Sequence, residues 1–287
     1  MIISDIRRLE LKAVKCRKKV VRMVRAGGAG HMGGALSCID ILTALYFSVM
    51  RHDPGNPRFP DRDRFVLSAG HKCMALYAVL AEAGYFPESL LDTYGKLNTK
   101  LPGHPDMHKL PGVEANTGAL GHGLSIAAGM ALGLRLDGSR AKVYALLGDG
   151  ELPEGSNWEA AAAAAHHKLD GLTAIVDCNG LQISGATKDV MNMEPIRKKF
   201  SAFGWACAEI DGNDMEEIVR ALNKLPIKKG SPSVIIARTV KAKGLSFAEN
   251  KVEYHHWKPK EDELLRAESE LAAAEQKLTA TKPGING

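Results

Sequence analysis

An α/β fold, with a parallel sheet covered by helices on both faces, is what these 287 residues predict. Three observations predict it. Short apolar runs such as VYALL and LTAIV alternate with longer helical stretches, the pattern of βαβ units. Those runs are apolar at nearly every position rather than at alternate ones, as strands buried on both faces require. Each also leads directly into a turn, GDG or DCNG, at the strand end where open parallel sheets place their ligands.

Taken in order, residues 5–26 carry a basic amphipathic helix, and GGAGHMGGALSCIDILTALYFSVM is a glycine-rich turn followed by an apolar helix. DRFVLSAGH reads as a buried strand and turn, and KCMALYAVLAEAGYF as the helix after it. Residues 95–117 are a long stretch of turn formers with glycine, proline and histidine, the kind of segment that usually carries function. GALGHGLSIAAGMALGLRL is a helix whose Gly121, Gly123, Gly129 and Gly133 read as packing positions. KVYALLGDG, SNWEAAAAAAHHKL and LTAIVDCNG then give strand, helix, strand, and WACAEIDG, NDMEEIVRALNKL and SVIIART repeat the order. After about residue 240 comes a loop, then a polar helix over 261–278 whose charges read as a solvated surface. The division expected is therefore a main domain over 1–260 and a C-terminal helix and tail over 261–287.

Composition narrows the class. With 45% hydrophobic and 25% charged residues the chain is an ordinary globular protein rather than a disordered or fibrous one. Five cysteines with no CxxC pair argue against a disulfide framework or a zinc site and fit a reducing compartment. The charged N-terminus lacks a signal-peptide core, and no apolar run is long enough for a membrane helix, so the cytoplasm is expected. A net charge of +5 is mild: it would suit small acidic metabolites, a solvated surface explains it equally well, and no nucleic acid is expected as partner.

The GDG turn is not the dinucleotide fingerprint, because no third glycine follows in place, and no GxxxxGK[ST] loop is present. Alone, GDG reads as a β-turn at least as readily as a ligand loop. Its pairing with Asp177-Cys178-Asn179 at the end of a neighbouring strand favours a site. Asp149, Asn179 and a carbonyl near Leu181 offer hard oxygens of the kind Mg²⁺ shares with substrate phosphates. Gly150 lets the backbone approach a phosphate closely.

The stretch GDGELPEGSNWEAAAAAAHHKLDGLTAIVDCNGLQISG resembles the thiamine-diphosphate motif, which opens with GDG and closes with Asn. GGAGHMGGALS, FVLSAGHKCMALYAVL, LPGHPD and NTGALGHGLSIAAGMALG resemble transketolase in the same order and at similar spacings, over roughly residues 10–258. The resemblance implies the diphosphate-binding (PP) domain of the thiamine-diphosphate fold. It implies thiamine diphosphate as cofactor, with Mg²⁺, Ca²⁺ or Mn²⁺ held by Asp149, Asn179 and the main chain of Leu181. It places Gly150, His71, Asn179, His255, Gly118 and Leu120 against the cofactor. His31, His71, His104 and His255 would meet substrate or move protons, and Glu154 would join a carboxylate network between two active sites. The remaining histidines His52, His108, His166 and His167 read as solvated loop residues. His256 stands where the family has glycine.

In the family, the glutamate that activates the cofactor and the groups that bind the substrate phosphate lie in a pyrimidine-binding domain absent from these 287 residues. The resemblance thus implies one subunit of a split transketolase, completed by a second polypeptide in a two-plus-two assembly. It would transfer a two-carbon ketol unit from a ketose or its phosphate to an aldose or its phosphate. The alternatives are a related thiamine-diphosphate enzyme acting on a non-standard sugar or 2-oxo acid, and a non-catalytic regulatory subunit.

Overall fold

The computed structural model describes residues 3–280; the frayed tail expected after the last helix lies outside them. Helix α1 (Ile3–Gly27) turns through a glycine-rich bend into α2 (Met32–Ser37) and α3 (Ile39–Ala44). The apolar stretch expected as one helix is therefore broken at Cys38, beside Ser37, whose hydroxyl donates to Asp177 Oδ2 at 2.6 Å. Strand β1 (Arg64–Leu67) and helix α4 (Cys73–Ala83) follow, then the long loop, then α5 (His122–Leu136). Next come β2 (Val143–Gly148), α6 (Gly155–His166) and β3 (Leu172–Cys178). A small hairpin of β4 (Leu181–Gln182) and β5 (Gly185–Ala186), with helices α7 (Thr187–Val190) and α8 (Ile196–Ala202), occupies a stretch to which sequence patterning assigns no element. The chain closes with β6 (Ala206–Asp211), α9 (Met215–Leu222), β7 (Ser233–Arg238) and α10 (Glu261–Ala280).

The five long strands form one parallel sheet in the order β1-β2-β3-β7-β6. Successive strand residues point to opposite faces, and the core divides accordingly. Tyr144, Leu146, Ile175 and Ile235 join the side packed by α1 to α4, α9 and α10, while Val143, Ala145, Leu147, Val176 and Ile236 join the side packed by α5, α6 and α8. The predicted two-sided covering is what the structure shows.

Glycine roles divide. Gly123 lies so close to Ser68 that a Cβ would approach its side chain to 2.4 Å. Gly129 and Gly133 of α5 meet nothing within 4 Å among the described residues, so packing inside this chain does not explain them. Helix α10 is also more than a solvated surface. Its Leu264, Ala267 and Leu271 are buried in the core against α1, and Lys18 and Arg25 of α1 pair with Glu275, Glu261 and Glu268.

Candidate active site

Register brings the two turns together. In the β2–β3 ladder Gly148 pairs with Asp177, so the residues just beyond, Asp149 and Asn179, leave adjacent strands at the same edge. They line a cleft of about 240 Å³ with His31, His71, Gly118, Leu120, Gly150, Leu181 and His255. Nine of the eleven residues expected at the site thus share one cavity. His104 stands beside it, its ring centroid 6.4 Å from that of His31. Glu154 is exposed and lines no part of the cleft.

Asp149 is buried, and its oxygens are oriented by backbone donors: Gly150 N–H to Oδ1 at 2.9 Å and Gly180 N–H to Oδ2 at 2.7 Å. Burial and the neighbouring Asp177 raise its pKa to about 6, with Lys72 opposing. Asn179 Oδ1 accepts the Leu181 N–H at 3.1 Å. The Leu181 carbonyl accepts from Lys241 Nζ at 2.9 Å, leaving its second lone pair free in direction. The N–H of Gly150, expected to face a phosphate, is thus engaged by its own Asp149. What Gly150 contributes is space, since a Cβ there would come within 3.1 Å of Gln182 Cβ.

Beneath the cleft lies a charged layer that the motifs do not announce. Asp177 is fully buried and accepts from Lys72 Nζ at 2.6 Å, Ser37 Oγ at 2.6 Å and the Thr239 hydroxyl. The Asp177 carboxylate drives the Lys72 pKa upward against the opposing cost of its burial. Lys241 is as deeply buried, donating to the Leu181 carbonyl and to His255 Nδ1, each at 2.9 Å. Burial, with Lys72 nearby, lowers its pKa to about 8. The two glycines of HMGGALS make room for these lysines. A Cβ on Gly34 would meet Lys72 Cε at 3.0 Å, and one on Gly33 would meet Lys241 Cε at 3.1 Å and the Tyr254 carbonyl at 2.6 Å. Buried Glu151 is the other residue that motif reading misses. It accepts from the N–H groups of Gly121 (2.9 Å) and Gly148 (3.1 Å) and from Ser68, fastening the TGAL segment to the GDG turn. Gly118, at φ +143°, leaves room for the His104 ring, which a Cβ would strike at 2.6 Å.

Imidazoles form the rim. The His31 ring lies 5.3 Å from His71, 5.6 Å from His255 and 4.8 Å from His256, and His71 stacks on His255 at 5.6 Å. Burial lowers their pKa values, assisted by neighbouring positive charge: His31 to about 4, His255 to about 3 and His71 to about 2. They are neutral at pH 7 and can each donate and accept a hydrogen bond. His52, read as solvated, is instead held between two tyrosines. Its Nε2 donates to the Tyr46 carbonyl at 2.6 Å, and Tyr85 donates to its Nδ1 at 3.1 Å.

A pH dependence follows from the rim. An unfolded chain protonates its imidazoles below about pH 6.5, whereas these three stay neutral in the fold until well below that. The unfolded state therefore binds more protons, and the stability they contribute, complete above about pH 6.5, is lost as the pH falls toward 4. The urea midpoint is expected to drop across that window, and His71→Gln to flatten the slope. An unchanged slope would remove His71 as a source.

A doubly covered parallel sheet thus carries an acid-amide pair at adjacent strand ends, with imidazoles above it, in one cleft. The chain belongs to the family described as "Transketolase, thiamine diphosphate binding domain", whose profile matches residues 9–281. It is 49% identical to an apulose-4-phosphate transketolase subunit from Actinobacillus succinogenes, over 92% of this chain and 95% of that one. It is 44% identical to the 6-deoxy-6-sulfo-D-fructose transketolase subunit SqwG of a Clostridium species, over 92% and 96%. Among solved structures, transketolase from Campylobacter jejuni superposes with a TM-score of 0.87 at 34% identity, over 97% of this chain and 46% of that one. The chain thus spans a little under half of that longer transketolase. Among the described residues no helix is long and apolar enough to cross a membrane.

Proposed function

We propose that this chain is the diphosphate-binding subunit of a two-chain transketolase that transfers a two-carbon ketol unit from a ketose to an aldose. The observation that carries the reading is the meeting of the GDG and DCNG turns, by strand register, under a rim of neutral imidazoles. The residues fit the implied cofactor and cation. Asp149, Asn179 and the Leu181 carbonyl are hard oxygen donors at one edge. Gly118 and Gly150 let the His104 ring and the Gln182 side chain pack against the backbone of the cleft wall, and the buried Gln182 Oε1 there has no hydrogen-bond partner among the described residues. Mg²⁺ would sit on those three oxygens, with Ca²⁺ or Mn²⁺ as substitutes, and the ammonium of Lys241 and the ring of His71 would face the diphosphate.

Thiamine diphosphate, when bound, supplies the electron sink for the two-carbon unit. The chain does the rest. His31, His71, His104 and His255 bind sugar hydroxyls and pass protons, each imidazole offering two ring nitrogens for hydrogen bonding. Leu120 and Gly118 close one wall of the cleft. Glu154, exposed at the start of α6, is available to a neighbouring chain in a two-plus-two assembly. Five free thiols, four of them buried, support a cytoplasmic setting.

The names of the relatives point to a non-standard sugar phosphate or sulfonated sugar as donor. The test is ketol transfer by the purified chain with Mg²⁺ and thiamine diphosphate, alone and with a polypeptide carrying the pyrimidine-binding domain. Donors would be apulose 4-phosphate, 6-deoxy-6-sulfofructose and xylulose 5-phosphate. Turnover is expected only with both chains, and faster with one of the first two donors than with the third. Turnover by this chain alone would overturn the split reading; none with any donor would overturn the activity.

A further inference from the structure

His256 occupies a position where a side chain is not required by the fold but is aimed by it. Gly30 and Trp257 form an antiparallel bridge with both hydrogen bonds made, Gly30 N–H to Trp257 O at 3.0 Å and Trp257 N–H to Gly30 O at 2.8 Å. The next pair along such a ladder is a close, non-hydrogen-bonded one, and that pair is His31 and His256. Their ring centroids accordingly lie 4.8 Å apart, edge to face at 77°.

The backbone beneath His256 is held from two further directions. The Tyr254 carbonyl presses on Gly33. Glu263 of α10 accepts from the Tyr254 hydroxyl at 3.0 Å and from the Lys260 N–H at 2.9 Å. Trp257 on one side is buried and His255 on the other is tied to Lys241, whereas His256 is exposed, its ring against that of His31, which lines the cleft. A glycine there would leave His31 open on that side. An imidazole adds a wall and a hydrogen-bonding edge next to the ring that meets substrate.

We propose that His256 is a specificity-determining residue, which binds hydroxyls on the acceptor sugar beyond the carbons nearest the reacting centre. It rests on the ketol-transfer reading above. An acceptor of four or more carbons carries hydroxyls beyond those of a two-carbon acceptor, and these are the groups offered to a side chain beside His31. The ligand class is therefore a polyhydroxylated aldose chain, and the readout is discrimination between long and short acceptors.

The two-chain enzyme would be given hydroxypyruvate as donor, with glycolaldehyde, erythrose and ribose as acceptors, and compared with His256→Gly and His256→Asn. One neutral hydrogen bond discriminates by roughly 5- to 10-fold. His256→Gly is expected to lower the ratio of kcat/KM for erythrose over glycolaldehyde by about that factor, mainly through KM, and His256→Asn to recover part of it. An unchanged or increased ratio would overturn the proposal.

A second measurement needs no turnover. Imidazole NMR signals of the purified chain would be followed on adding ribitol or ethylene glycol. Ribitol is expected to move the His256 signal and ethylene glycol to leave it; equal responses, or none, would overturn the proposal even for an active enzyme. If the enzyme turns over no acceptor while ribitol still moves His256, the activity falls and the polyol contact stands.

Discussion

Lys72→Met is expected to lower the unfolding free energy by about 3–5 kcal/mol, the largest stability effect of any single side chain in the site. Lys72 and Asp177 are both buried, and their 2.6 Å contact is the only charge pairing Asp177 has among the described residues. Removing one partner of such a pair leaves an uncompensated charge in a medium that solvates it poorly. The Ser37 and Thr239 hydroxyls would remain as donors, but they carry dipoles, not charge. Adding Asp177→Leu should restore only part of the loss, because it strands those two hydroxyls. Urea unfolding at pH 7, followed by circular dichroism, checks this. A loss below about 1 kcal/mol would mean that water or a rearranged Asp177 takes over the lysine's role.

Asp149→Ala is expected to abolish ketol transfer and, independently, the stabilisation given by cofactor and metal. Ligands that bind only the folded state add about 2.7 kcal/mol at a hundred times their dissociation constant, so wild type should melt higher with Mn²⁺ and thiamine diphosphate present. The variant should not respond. Its ligand-free stability should change less than that of Lys72→Met. Asp149 is held above the usual carboxylate range by burial and by Asp177, so the fold gives up a destabilised charge as well as two backbone hydrogen bonds. A variant that still melts higher with both ligands would move the cation off Asp149.

Much of this site is legible in the sequence because its chemistry sits in short contiguous turns. GDG and DCNG end apolar runs, and a parallel sheet places such ends along one edge whatever the strand order. The buried lysines are not legible. Lys72 and Lys241 stand in stretches that read as an ordinary helix start and an ordinary loop, and only the topology brings Asp177 to the first and the Leu181 carbonyl to the second. Asp177 reads as part of a turn, yet its place as the last but one residue of β3 points it into the core instead. The one local trace of both lysines is the pair Gly33-Gly34, whose missing side chains are filled by lysine stems from elsewhere. The small hairpin β4–β5 escapes for a plainer reason: two-residue strands carry too little periodicity to register.

The Gly30–Trp257 bridge has a temporal side. It joins residues from opposite ends of the chain, and with Lys241 and His255 it supplies the rim above turns made much earlier. During synthesis at about 5–20 residues per second, the strands bearing Asp149 and Asn179 leave the ribosome well before the segment that covers them. Of the cationic and imidazole groups around the cleft, His31, His71 and Lys72 precede these turns in the chain and only Lys241 and His255 follow, so Asp177 can meet Lys72 before Lys241 has been translated. The Lys72–Asp177 pair is thus made of residues that are both available before the covering segment is.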